Sequence, residues 1–196
     1  MIQLGITGGI GSGKSTVAKV LEALGIPVYY ADDESKLLLA SDAIQKKIIT
    51  EFGKNILGAD GKIERKKLAA LVFAHPSKLK KLNALLHPEV AKHYSSWIKT
   101  KKQFAIVAKE AAILFESGSY TQMDKIATVY APREMRIKRA MQRSNASREE
   151  ILERIKKQLP ESEKIRRADF VLYNDEKRLV VPQVLKMLAK IKSAKK

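Results

Sequence analysis

The chain has 196 residues, 45% of them hydrophobic, with 38 Lys and Arg against 21 Asp and Glu, a formal net charge of +17. That length and apolar content suit one core with small insertions. With no cysteine, disulfides, thiolate metal sites and cysteine nucleophiles are excluded and a reducing compartment is expected. The chain opens on Met1–Ile6 (MIQLGI), which carries no basic leader region, and no apolar run reaches membrane-span length, so a soluble cytoplasmic protein is expected. Ile2 to Thr7 reads as a buried strand ending at glycines. From Lys14 to Leu24 apolar residues recur at helical spacing (Val17, Ala18, Val20, Leu21, Leu24), and Gly25 stops the helix. Pro27 to Ala31 reads as a second strand, so the first thirty residues or so open a right-handed parallel crossover.

Asp33 to Thr100 is mostly helical in pattern, broken at Gly53, at 58–61 and at His75-Pro76. Its stripe of Leu79, Leu82, Leu85 and Leu86 is read as helix core, and the segment as an insertion able to hold a second substrate. Strands follow at Phe104–Ala108, Lys125–Tyr130 and Phe170–Tyr173. Between the last two lies a polar, arginine-rich stretch, Arg133–Arg167, in which Ser147 to Glu150 forms a capping box. A final amphipathic helix spans roughly Glu176 to Ile191, and Lys186–Lys196 resembles a basic tail. The remaining positive charge is scattered, so it is read as a solvated surface and implies no nucleic-acid partner by itself. The expected fold is α/β: a P-loop NTPase fold, a five-stranded parallel sheet flanked by helices, with core segments 1–32, 101–132 and 168–196, a helical insertion over 33–100 and a small helical lid over 133–167.

Gly8-x4-Gly13-Lys14-Ser15, between a strand and a helix, matches the P-loop pattern. Bare backbone at Gly8, Gly9, Gly11 and Gly13 lets successive N–H groups, Ser12 included, converge on phosphate, and the helix start adds its positive end. Lys14 reaches the β- and γ-phosphates, the Ser15 hydroxyl is placed to ligate Mg2+, and Thr16 can hydrogen-bond a phosphate oxygen. The loop therefore implies the triphosphate of a nucleotide, with Mg2+. No Asn-Lys-x-Asp guanine motif is present, and no Asp-Glu pair ends a strand in the manner of a Walker B motif; the third strand ends at Lys109-Glu110, where Glu110 is a weak candidate for contacting Mg2+ through water. The second strand ends at Asp32-Asp33. In an open parallel sheet ligands gather at the carboxyl ends of strands, so Asp32 is assigned to accepting a hydroxyl proton and Asp33 to capping the helix that follows.

Six stretches occur in one order: TGGIGSGKST (7–16), a strand ending in Ala31-Asp32, LNALLHPEV (82–90), ILFESG (113–118), KRAMQR (138–143) and ADFVLYN (168–174). Together they resemble the dephospho-CoA kinase family over nearly the whole chain. The resemblance implies a P-loop kinase core with a helical CoA domain and a lid. It implies transfer of the γ-phosphate of ATP to the ribose 3′-hydroxyl of dephospho-CoA, the last step of coenzyme A synthesis. Asp32 matches the family aspartate that activates this hydroxyl. Asn83 and His87 fall in the acceptor-domain signature; for His87, capping a helix that starts at Pro88 is the competing reading. Arg139 and Arg143 match the lid arginines and share a helix face, with Arg133 and Arg136 close by, for which a solvated basic face competes. Gln158 and Lys164 also fall at family positions. Asn174 is expected near the adenine, or serves as a turn residue.

Two departures stand out: Tyr30 where the family often has aspartate, and Ala112 where it often has proline. The partners implied are ATP and dephospho-CoA, with no obligatory nucleic acid, no membrane and no oligomeric state assigned. Two alternatives stay open at this point: a nucleoside or nucleotide kinase of the same fold, and a non-enzymatic ATP-binding protein associated with nucleic acid.

Overall fold

In the computed structural model, which describes residues 1–193, Gly8-Gly9 follows the end of the first strand and Ala131-Pro132 the end of the fourth. β1 (Ile2–Thr7), β2 (Val28–Tyr30), β3 (Ile106–Glu110), β4 (Lys125–Tyr130) and β5 (Phe170–Tyr173) form one parallel sheet in the order β2-β3-β1-β4-β5. On one face Leu4, Ile6, Ile106, Ala108, Ala127, Val129 and Leu172 pack against Val17 and Leu21 of α1 (Lys14–Ala23). On the same face Val184, Met187, Leu188 and Ile191 complete this core from the C-terminal helix, Val180–Ser193. The expected β1, β4 and β5 match their spans.

Three boundaries differ. β2 is shorter than 27–31: Pro27 has no N–H to give, although its carbonyl accepts from Ala108, and Ala31 already belongs to helix α2 (Ala31–Leu39). β3 spans 106–110 rather than 104–108, because the Phe104 N–H closes a turn onto the Lys101 carbonyl. Lys109 and Glu110 are therefore buried residues of the strand itself, 1% and 6% exposed, and do not lie beyond its end. The last helix starts at Val180 and not at Glu176. Asp175 accepts from the N–H groups of Lys177 and Arg178, and Glu176 sits at φ 62, which no helix allows. Of the expected basic tail, residues 194–196 lie outside the described residues.

The chain divides into two compact units, 1–30 with 101–196, and 31–100. In the first, the arginine-rich stretch folds as α6 (Arg133–Ser144), α7 (Arg148–Lys156) and α8 (Glu161–Arg167). Ser147 makes the expected capping box with Glu150. In the second, α2 is followed by α3 (Asp42–Phe52), α4 (Arg65–Ala74) and α5 (Pro76–Lys99). Leu82 and Leu86, with Leu79 and Leu85 against them, pack on Ile44, Ile48, Ile56, Leu68 and Val72, so the leucine stripe is core. Two capping expectations fail here. Asp33 lies in the first turn of α2 together with Asp32 and Glu34, so it is not the N-cap of a later helix. α5 runs through Pro88, so His87 caps nothing. The ring of Pro88 removes one bond to the carbonyl four residues back, that of exposed Ala84, where water can replace it. Among the described residues no helix is long and apolar enough to cross a membrane. The C-terminal helix α9 is the Val180–Ser193 segment.

Candidate active site

The P-loop leaves β1 at Thr7 and enters α1 at Lys14. Gly11 and Gly13 sit at φ 76 and 95, in the left-handed region that only glycine adopts without strain. Gly13 caps α1, its carbonyl accepting from the N–H groups of Thr16 and Val17. The Ser12 N–H donates to the Gly9 carbonyl at 3.1 Å, and the Lys14 ammonium donates to the same carbonyl at 3.3 Å. Lys14 is thus folded across its own loop and only 8% exposed. Ser15 and Thr16 present their side chains at the exposed start of α1. The hydroxyls of Thr7, Ser12 and Thr128 are buried without a protein partner among the described residues. The loop and its flanks therefore offer one cation, the start of a helix and spare hydroxyls, a donor set that fits a polyphosphate, and the hard oxygen of Ser15 suits Mg2+.

Several neighbours hold this loop. The Arg136 guanidinium donates through Nε to the Ile10 carbonyl at 3.1 Å and pairs through Nη1 with Glu161 at 3.2 Å. Arg136 is 4% exposed, so the solvated reading of this residue is corrected. Arg136 shares the α6 face of Ile137 and Ala140, which are also buried. Its i,i+4 spacing to Ala140 was the signal in the sequence that it faces inward. Glu161, with no role expected from sequence, carried no such signal. Gln158 Oε1 accepts from the Ile10 N–H at 2.9 Å. A Cβ on Gly9 would run into the Arg136 guanidinium and lie 2.7 Å from Glu161 Oε1, and one on Gly11 would run into the Arg136 backbone.

Asn174 joins three segments. Its side-chain amide donates to the Ser12 carbonyl at 3.0 Å, and its own carbonyl accepts from Arg139 at 3.0 Å. Arg139 also pairs with Glu176 at 3.0 Å. Arg143 and Arg133 lie exposed at opposite ends of α6. Lys164 is fully buried; its ammonium donates to the Ala112 carbonyl at 2.9 Å and pairs with Glu116 at 3.0 Å, while Glu116 accepts from the Leu159 N–H at 2.7 Å. Ala112, a departure from the family pattern, therefore contributes only its backbone to this contact. Burial pushes the Lys109 ammonium down from 10.5 to about 8.

Within the helical unit, Asp32 is exposed in the first turn of α2, two residues after β2 ends. Asn83 and His87 are half-buried and four residues apart on α5, hence on one helix face. His93 of α5 lies 3.6 Å from Glu34 of α2. Among the described residues no group of three or more His, Asp or Glu could hold a metal ion.

Residues 2–179 match the family model for dephospho-CoA kinase. A dephospho-CoA kinase of Bacteroides fragilis is 42% identical over 188 residues, 96% of this chain and 92% of the relative. The crystal structure of TT1252 from Thermus thermophilus superposes with a TM-score of 0.87 at 38% identity, covering 96% of each chain. The dephospho-CoA kinase of Campylobacter jejuni gives a TM-score of 0.70 at 30% identity, covering 99% of this chain and 98% of its own.

Proposed function

This chain belongs to the dephospho-CoA kinase family, and from that premise we propose that it transfers the γ-phosphoryl group of ATP to the ribose 3′-hydroxyl of dephospho-CoA, releasing coenzyme A and ADP in the cytoplasm. The observation that carries the reading is the P-loop, with Lys14 folded back onto the Gly9 carbonyl at the carboxyl end of β1. Gly8, Gly9, Gly11, Ser12 and Gly13 supply the loop around the phosphates, Lys14 balances the β,γ-oxygens, and Thr16 donates to a phosphate oxygen. Ser15 would hold Mg2+, which would supply charge neutralisation. Asn174 buttresses the loop through Ser12, and the adenine lies beside it.

The acceptor oxygen bonds to the γ-phosphorus as the bond from that phosphorus to the β,γ-bridging oxygen breaks, and ADP departs. Asp32 takes the hydroxyl proton. Two residues of chain tie it to the carboxyl end of β2, an end where open parallel sheets gather ligands. Arg139 and Arg143 balance charge spreading over the transferring group. Asn83 and His87 present one face of α5 to the acceptor.

The test is product analysis with Mg-ATP and dephospho-CoA beside a panel of nucleosides and nucleoside monophosphates. Coenzyme A formed with equimolar ADP supports the proposal. Turnover of a panel member in its place would make the protein a nucleotide kinase of the same fold, and ATP binding with no transfer to any acceptor would leave an ATP-binding protein.

A further inference from the structure

Ile10, at the tip of the phosphate loop, is held at three points by segment 133–167. Its carbonyl accepts from Arg136, its N–H donates to Gln158, and its side chain packs on the cluster of Ile137, Ala140 and Ile151. The P-loop pattern leaves residues 9 to 12 open in type, yet Gly9 and Gly11 have no room for a Cβ because Arg136 and Glu161 lie against them. The grip is itself anchored. Gln158 sits between α7 and α8, next to Leu159, whose N–H is held by Glu116, and six residues before fully buried Lys164. Arg136 spends its charge on Glu161 at 3.2 Å while donating to Ile10, so it serves the loop's shape.

We propose that Gln158, backed by the Arg136–Glu161 pair, is a positioning residue for the nucleotide. It fixes the peptide on the N-terminal side of Ile10, so that the N–H groups beyond it converge on the phosphates. This rests on the proposed function only in taking ATP as the loop's ligand. A hydrogen bond to a loop peptide acts on nucleotide affinity and leaves the acceptor's own contacts alone.

The experiment measures direct binding of Mg-ATP alone and of dephospho-CoA alone to the full chain, for the parent, Gln158→Met and Gln158→Glu, with thermal unfolding of each. Methionine keeps the length and loses the acceptor; glutamate keeps an acceptor oxygen. Gln158→Met weakens ATP binding about fivefold, the loss of one hydrogen bond. Gln158→Glu binds ATP more tightly than Gln158→Met, and dephospho-CoA affinity is unchanged in both. The proposal is overturned if Gln158→Met binds ATP within about twofold of the parent, if glutamate recovers nothing, or if acceptor affinity falls along with that for ATP. Arg136→Met gives a second arm: without the guanidinium, neither the Ile10 carbonyl nor Glu161 has its donor, so ATP binding weakens there too, and unchanged affinity counts against the proposal. A parent that binds ATP but makes no coenzyme A would sink the proposed function and leave this comparison standing.

Discussion

Raising the pH from about 7 to about 10 should stabilise this protein through Lys109. The residue lies on β3 in register with Gly5 of β1 and Tyr29 of β2, and is 1% exposed. Its ammonium donates to Gln122 at 3.4 Å, a long bond that offsets little of the desolvation. Burial lowers its pKa from 10.5 to about 8. At about 1.36 kcal/mol for each pKa unit, that gap is worth about 3 kcal/mol. The sign follows from proton counting. Below about pH 8 both states hold the proton and the folded state bears the desolvation cost behind the lowered pKa. Between about 8 and 10.5 the unfolded chain keeps a proton that the folded chain has lost, so stability rises with pH across that window and levels off above it. For a chain of this size about 3 kcal/mol corresponds to roughly 6–12 °C in Tm. Other lysines and tyrosines titrate in the same range, so the assay compares the parent with Lys109→Met, following thermal unfolding by circular dichroism from about pH 7 to about pH 10. Methionine loses the lysine's contacts equally at every pH. The parent's Tm should therefore gain on the variant's as pH rises, and a Tm difference that stays constant across the series would refute the reasoning.

Asp32→Asn should cut kcat by about 10²–10⁴-fold while leaving ATP affinity unchanged; turnover within about tenfold of the parent would remove the base role. Gly11→Ala should weaken ATP binding and lower Tm, because alanine at φ 76 costs about 1–2 kcal/mol and its Cβ meets the Arg136 backbone. Full ATP affinity in that variant would refute the packing argument. Lys164→Met strips Glu116 of its buried cation and should cost about 3–5 kcal/mol, roughly 6–20 °C in Tm. Adding Glu116→Gln should recover part of this loss, and a fall in Tm under about 2 °C would show that the pair is not what secures the segment.

The sheet was legible where an apolar run met a hard stop: β1 at Gly8-Gly9, β4 at Ala131-Pro132, β5 at Asn174. β3 misled because polarity and burial part company there. Phe104 is apolar but sits in a turn, whereas Lys109 and Glu110 are charged but buried inside the strand. The phosphate loop was legible because its chemistry is local: four spaced residues between a strand and a helix suffice. Its surroundings were not. The Arg136–Glu161 pair joins two helices whose composition reads as solvated, and nothing in a charged helix says which of its charges meets a partner 25 positions away. Asp33 and His87 misled for another reason. Aspartate and His-Pro read as helix boundaries, but α2 begins earlier and α5 tolerates its proline.

The arginines of α6 divide by what their partners cost to leave. Arg136 is 4% exposed and paired with Glu161, whose carboxylate is 20% exposed, so separating them strands charge away from water. Arg139 is 27% exposed and its partner Glu176 is 71% exposed, a pairing worth about 1 kcal/mol or less. Separating Arg139 from Glu176 therefore costs little, while its second bond, to the Asn174 carbonyl, keeps it beside the residue that braces Ser12. On one helix Arg136 holds the phosphate loop through a buried pair and Arg139 keeps an exchangeable one, because the two guanidinium groups differ in burial and not in chemistry.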